Sequence, residues 1–191
     1  GKACYTQKPL TRTIWEARKI AELAAGSKAA TQMGNQGSES PGLRSAAAKL
    51  KSGILGNVKE IHIWTNRPVW PQGIPRPEEQ PVPKEIHWDE FIGPVEMRPY
   101  NAAYHPFKWR GFWAFGTGAL GDMACHTLNV AFAGCDLVNP VSVQATTTGH
   151  NGETFPGSSK INFEFAPTKY RPAINMIWYD GGNKVDPEML E

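Results

Sequence analysis

The chain has 191 residues, among them 19 glycines and 16 prolines, and 20 Lys and Arg against 18 Asp and Glu leave a formal charge of +2. A chain of this length buries roughly 70% of its unfolded surface, so it forms one large domain or two small ones without covalent staples. The near-balance of charge excludes an electrostatically driven nucleic-acid binder, and the glycine and proline content marks a loop-rich globular protein rather than a disordered one.

In chain order, Ala3–Tyr5 reads as a strand end stopped by Gln7-Lys8-Pro9. Thr11 or Thr13 caps the next helix, with Glu16 three residues after Thr13 as the capping-box partner. Ile14, Ala17, Ile20, Ala21 and Ala24 recur at helical spacing, and Gly26 ends the run. Ala29–Met33 is a second strand, followed by the turn-rich stretch Gly34–Ser40. Pro41 suits the first turn of a helix through Leu43, Ala46, Ala47 and Leu50 to Gly53. Val58–Trp64 alternates as a strand, with Ile61 and Ile63 on one face. Strand, helix, strand, helix, strand is α/β order, for which a parallel sheet is the default. Two or three strands make a small parallel sheet, so the segment is expected to be the tail of a larger doubly wound one.

Residues 65–107 are dense in proline, which neither donates to a ladder nor sits inside a helix. A long ordered loop is expected there, pinned by Trp64, Trp70, Trp88, Phe91 and Tyr100. Beyond residue 135, Val141–Thr148, Lys160–Phe165 and Ala173–Tyr179 read as three strands, and Asp180-Gly181-Gly182 as a turn.

Three cysteines, Cys4, Cys125 and Cys135, cannot all pair within one chain, and no C-x-x-C occurs. Neither a disulfide framework nor a structural zinc site is expected, and this cysteine usage points to the cytoplasm. Ala124–Val138 is too short and too polar to span a membrane, so no membrane partner is expected. The first 25 residues hold no continuous apolar stretch of the signal-peptide kind, although an export signal could lie upstream of Gly1.

Gly116-Thr117-Gly118-Ala119-Leu120-Gly121 matches G-x-G-x-x-G, the pattern of a dinucleotide pyrophosphate loop. Its context argues against that use. Trp109–Phe115 makes a poor buried strand, Asp122 would sit where the anionic pyrophosphate binds, and Asp136 precedes the next strand instead of ending it. These glycines are expected to allow close approach of backbone to a ligand or to another element.

The densest chemistry follows. Asp122 and His126 lie four apart, hence on one helix face, with Asp122 expected in the first turn. A carboxylate near an imidazole makes a proton relay suited to a sugar hydroxyl; the structural alternative is a cap and a core histidine. Lys8, at a presumed strand end, can hold a hydroxyl, or is a solvated turn residue. Trp109 and Arg110 offer a stacking surface and a fixed cation, or pack on the aromatic loop. Asn35 and Gln36 can bind polyols, or serve the turn. His62 reads as structural, and His105 and His150 lie in loops. Asp122, His126 and His105 do not make a recognised zinc signature, so no metal is expected.

Taken together, the motifs resemble the Gfo/Idh/MocA oxidoreductases. Lys8-Pro9 after a strand resembles that family's Glu-Lys-Pro, and Thr31–Gly37 the strand and loop that follow it. Trp64-Thr65-Asn66-Arg67-Pro68-Val69-Trp70-Pro71-Gln72 is similar to a bacterial subgroup of NADH-dependent dehydrogenases. Trp109-Arg110 and then Gly118, Asp122 and His126 resemble the family's Gly-x-x-x-Asp-x-x-x-His segment. The resemblance implies a Rossmann domain followed by a C-terminal α/β domain with an open, largely antiparallel sheet that mediates homo-oligomers. It implies oxidation or reduction of sugar or polyol carbons with NAD or NADP. By position, Lys8 and Pro9 would contact the cofactor, Lys8 the substrate as well. Asp122 and His126 would bind the reacting hydroxyl, His126 carrying its proton. Trp109 and Arg110 would lie near cofactor and substrate.

Two departures stand out. Gln7 replaces the family's Glu, and the family's own glycine-rich loop, which precedes the Lys-Pro motif, has no counterpart before Lys8. Residues 1–40 are therefore expected to be the remnant of a dinucleotide-binding domain. Residues 41–191 are expected to be a substrate and oligomerisation domain, incomplete at its end. The chain would be a fragment, an isolated domain or a truncated gene product that binds dinucleotide weakly or not at all. Two functions follow from this: part of an NAD(P)-dependent dehydrogenase, or a catalytically incomplete binding and assembly module.

Overall fold

In the computed structural model, which describes residues 2–190, the first helix begins where its cap predicts. Thr13 accepts a hydrogen bond from the Glu16 amide, the Glu16 carboxylate accepts one from the Thr13 amide, and α1 runs Ile14–Ala25 to Gly26. It connects β1 (Cys4–Gln7) to β2 (Thr31–Gly34), which pair in parallel with Cys4 opposite Thr31 and Gln7 opposite Gly34. Ser40 caps α2 (Pro41–Lys51), with Pro41 in its first turn.

The predicted third parallel strand goes elsewhere. β3 (Glu60–Trp64) leaves the β1–β2 pair and joins a second sheet of order β3-β6-β5-β4. There β3 runs parallel to β6 (Ile174–Tyr179), while β5 (Ser159–Phe165) is antiparallel to both β6 and β4 (Ser142–Thr147). The alternation explains the choice. Ile61 lies opposite Met176 and Ile161 opposite Trp178, so one face of the sheet gathers the large apolar side chains. That face is covered by α4 (Gly118–Thr127) and α5 (Asn129–Cys135), which contribute Leu120, Met123, Leu128, Ala131 and Phe132. α2 backs onto α5 so closely that a Cβ at Gly134 would come within 2.6 Å of Leu50. Trp178 and Asp180 tie the end of β6: Asp180 accepts from the Trp178 indole at 2.8 Å and from both the amide and hydroxyl of Ser159.

The proline-rich stretch is not a simple loop. It contains a short helix, α3 (Trp88–Ile92), and builds a small core of its own from Trp88, Ile92, Tyr100, Tyr104 and Phe112. Trp88 stacks on Tyr104 and meets Tyr100 edge-on, which organises a segment that proline keeps out of sheets and long helices. Trp70, Trp88 and Tyr100 are buried as expected, whereas Trp64 and Phe91 remain partly exposed.

α1 forms with the predicted spacing, yet buries no residue: Ile14 is 78% and Trp15 70% exposed. The physical reason is the β1–β2 pair itself, a parallel sheet too small to offer the covering surface such sheets normally have on both faces. Among the described residues no helix is long and apolar enough to cross a membrane.

This asymmetry gives a direct test. Trp178, fully buried, and Trp15 are the same residue type in opposite settings. Trp178→Ala is expected to lower unfolding free energy by about 3–5 kcal/mol, measured by guanidinium denaturation. Trp15→Ala is expected to change it by less than about 0.5 kcal/mol.

Candidate functional site

Lys8 emerges from the end of β1, its amide bonded to the Gly34 carbonyl at the end of β2. Its ammonium reaches across 114 residues of sequence to α4, donating to the Asp122 carbonyl at 2.6 Å and to Asp122 Oδ1 at 3.1 Å. Arg110, in the 3₁₀ turn Lys108–Gly111, donates from Nε to the same Oδ1 at 3.1 Å. Its guanidinium lies over the rings of Phe107 and Trp109, 4.4 and 4.5 Å from their centroids, and Nη1 donates to the Phe107 carbonyl. Two cations thus converge on one carboxylate oxygen, with the side chains of Lys8 and Asp122 only 14% and 12% exposed. Asp122 Oδ2 accepts no hydrogen bond among the described residues, which leaves an acceptor beside an ammonium.

Asp122 sits in the second turn of α4, not the first, because the helix opens at Gly118. His126 follows one turn later, and its Nδ1 lies 3.2 Å from the Gln36 carbonyl. Among the described residues no hydrogen bond joins Asp122 to His126: the carboxylate is engaged by cations and the imidazole by the loop after β2. Asn35 uses its amide nitrogen on the Cys125 carbonyl (2.6 Å) and Ser38 Oγ (2.8 Å), while its Oδ1 is buried without a partner. Gln36 contributes its backbone carbonyl to His126, and its exposed side chain faces a cleft of about 770 Å³ shared with Gln7, Asn35, Arg44 and Asn129. Pro9 is exposed beside Lys8. Trp109 donates to the Pro106 carbonyl and lines a second groove with Trp15, Phe91 and Arg12.

The structure therefore brings Lys8, Asp122, Arg110, His126, Asn35 and Gln36 into one region. The Arg110–Asp122 pair was not expected from sequence, which offered Arg110 only as a cation for a ligand or a packing group. Asn129 and Ser38, joined at 2.5 Å, also lacked a signal, since their types are ordinary in turns and helix starts. His62 is bonded to Tyr179 and Glu60, and His105 packs on Phe91. Among the described residues no three His, Cys, Asp or Glu side chains are grouped to hold a metal.

The glycines of G-x-G-x-x-G are filled by protein. A Cβ at Gly116 would collide with the Arg110 backbone, one at Gly121 with the Thr117 side chain, and one at Gly118 would lie 2.6 Å from the Phe155 ring. Gly118 also has φ +62°, which favours glycine. No cradle for a pyrophosphate is open there.

Residues 49–186 match the family described as "Oxidoreductase family, C-terminal alpha/beta domain". That class of domain is what the four-stranded sheet and its covering helices form. The chain belongs to the Gfo/Idh/MocA oxidoreductase family. Among solved structures, an NAD binding oxidoreductase from Klebsiella pneumoniae is similar in fold, with a TM-score of 0.56 and 17% identity over 94% of this chain. The chain spans 42% of the length of that structure. No curated protein matches it.

Two measurements check the site's construction. A double-mutant cycle of Lys8→Ala and Asp122→Ala, read by denaturation, is expected to show a coupling of about 0.5–3 kcal/mol, as for side chains in direct contact. Burial pushes the Cys125 thiol up, a shift that Lys8 only partly opposes, so less thiolate forms at a given pH. Iodoacetamide at pH 8, followed by peptide mass mapping, is expected to label exposed Cys4 faster than Cys125.

Proposed function

We propose that this chain supplies the substrate side of an NAD(P)-dependent oxidoreductase acting on a hydroxyl-bearing carbon of a sugar or polyol. The observation that carries the reading is the meeting of Lys8 with Asp122, from elements 114 residues apart, one turn from His126. A polyol fits this arrangement: the reacting hydroxyl can accept from the Lys8 ammonium and pass its one proton to His126, while a neighbouring hydroxyl donates to Asp122 Oδ2. In such a reaction the cofactor exchanges a hydride with the carbon, and the residues of this chain handle the proton on its oxygen. Lys8, Pro9, Trp109 and Arg110 are assigned to the cofactor side. Asn35, with its unpartnered Oδ1, and Gln36 are assigned to the substrate.

The filled glycines of α4 do not fit the cofactor's pyrophosphate, so its phosphates are not assigned to this loop. A cytoplasmic location and association with a second copy through the four-stranded sheet belong to the same proposal. Every residue of the edge strand β4 is exposed, Val143 among them at 56%.

One observation favours the second reading, a binding and assembly module without catalysis: the uncovered apolar side chains of α1. The two separate in a fluorescence titration of NADH into the chain, with Lys8→Ala beside it. The enzymatic reading expects saturation below about 1 mM. It also expects at least about tenfold weaker binding in the variant, equivalent to ~1.4 kcal/mol. No saturation in the wild-type chain favours the module.

A further inference from the structure

We infer that the loop after β2 sets the tautomer of His126, and that Ser38 and Asn129 are positioning residues for this histidine. The inference rests on the proposed role of His126 as proton carrier and adds which of its atoms does the work.

A backbone carbonyl only accepts, so the contact of His126 Nδ1 with the Gln36 oxygen at 3.2 Å requires the proton of the neutral ring on Nδ1. The lone pair is then on Nε2, which has no protein partner among the described residues. Nε2 is therefore the atom that takes a proton from a bound hydroxyl. The i,i+4 spacing suggested that Asp122 would orient the ring. Its engaged oxygen instead serves Lys8 and Arg110, and a carbonyl from another layer of the fold takes over the orienting role.

That carbonyl is held from both sides. On one side, Asn35 donates to the Cys125 carbonyl, the residue next to His126, and to Ser38 Oγ. On the other, Asn129 at the start of α5 donates to Ser38 Oγ at 2.5 Å, and the Ser38 amide donates to the Asn35 carbonyl. The Ser38 hydroxyl is thus the common acceptor of two amides that stitch the loop to the helices carrying His126. Without it, the loop loses its link to α5 and one of the two bonds made by the Asn35 amide.

The test reads the tautomer directly and needs no cofactor, so it is independent of the NADH titration. Histidine labelled with ¹⁵N is introduced into the 191-residue chain, and long-range ¹H–¹⁵N spectra are recorded at a pH where the ring is neutral. His126→Asn assigns the signal among the five histidines. The expected result is a predominantly Nδ1-protonated ring in the wild-type chain. Ser38→Ala and Asn129→Ala are expected to shift the population toward the Nε2-protonated form, and Ser38→Thr, which keeps the hydroxyl, to retain the wild-type ratio. Backbone amide spectra show that each variant is folded. A predominantly Nε2-protonated His126 in the wild-type chain overturns the inference, and so does a folded Ser38→Ala chain with an unchanged ratio. If Ser38→Ala does not fold, the wild-type ratio and Asn129→Ala decide.

Discussion

The carboxylate of Asp122 joins the two layers of this molecule. It is a largely buried charge, and such a charge persists only where it is paired and hydrogen-bonded. Its partners arrive from separate elements: Lys8 from the end of β1, and Arg110 from the turn that follows the aromatic segment. α4 is held independently by its packing on the four-stranded sheet, so the carboxylate is a fixed point to which the parallel pair and the aromatic segment are both registered. The Lys8 ammonium also bonds the Asp122 backbone carbonyl. It therefore grips α4 itself, and a change of rotamer at Asp122 would not release it.

Close backbone packing is the second constraint. Gly111 and Gly116 lie against the backbones of Pro71 and Arg110, and Gly118 turns the chain into α4 against Phe155. A run that reads as a phosphate loop is here the joint between the aromatic segment and the helix carrying Asp122 and His126. Glycine at φ > 0 or in backbone contact serves either purpose, and only the neighbours distinguish them. The sequence context had already pointed the same way: a poor preceding strand, and an aspartate where an anion should bind.

Local signals were legible. The Thr13–Glu16 box, Pro41 in a first turn, the alternation over Val58–Trp64 and the β-rich run over Ala173–Tyr179 are each decided within a few residues, and the elements appear where those residues place them. Partner choice was not legible. β3 looks like the next strand of a parallel sheet because element order suggests it, but its inward Ile61 and Ile63 complete the apolar face begun by Met176 and Trp178. The site shows the same division. The residues could be named from their types and from the resemblance, whereas their pairing depended on where α4 begins. Gly118 as the first helical residue puts Asp122 in the second turn, within reach of Lys8 and Arg110.

That pairing separates two jobs that the sequence had assigned to one dyad. With Asp122 engaged by two cations, the histidine one turn on is oriented by a loop instead of by a carboxylate. The arrangement leaves distinct atoms for distinct steps: an ammonium to hold an oxygen, a free carboxylate oxygen to receive a hydrogen bond, and a ring nitrogen to move a proton. It also makes the site depend on contact between the layers. Neither the parallel pair with its loop nor the four-stranded sheet with its helices contains all three atoms, because Lys8 and the Gln36 carbonyl come from the first and Asp122 and His126 from the second. The layer that lends Lys8 is the one whose helix remains uncovered. Whatever steadies α1 therefore acts, through β1, on the position of the ammonium at the site.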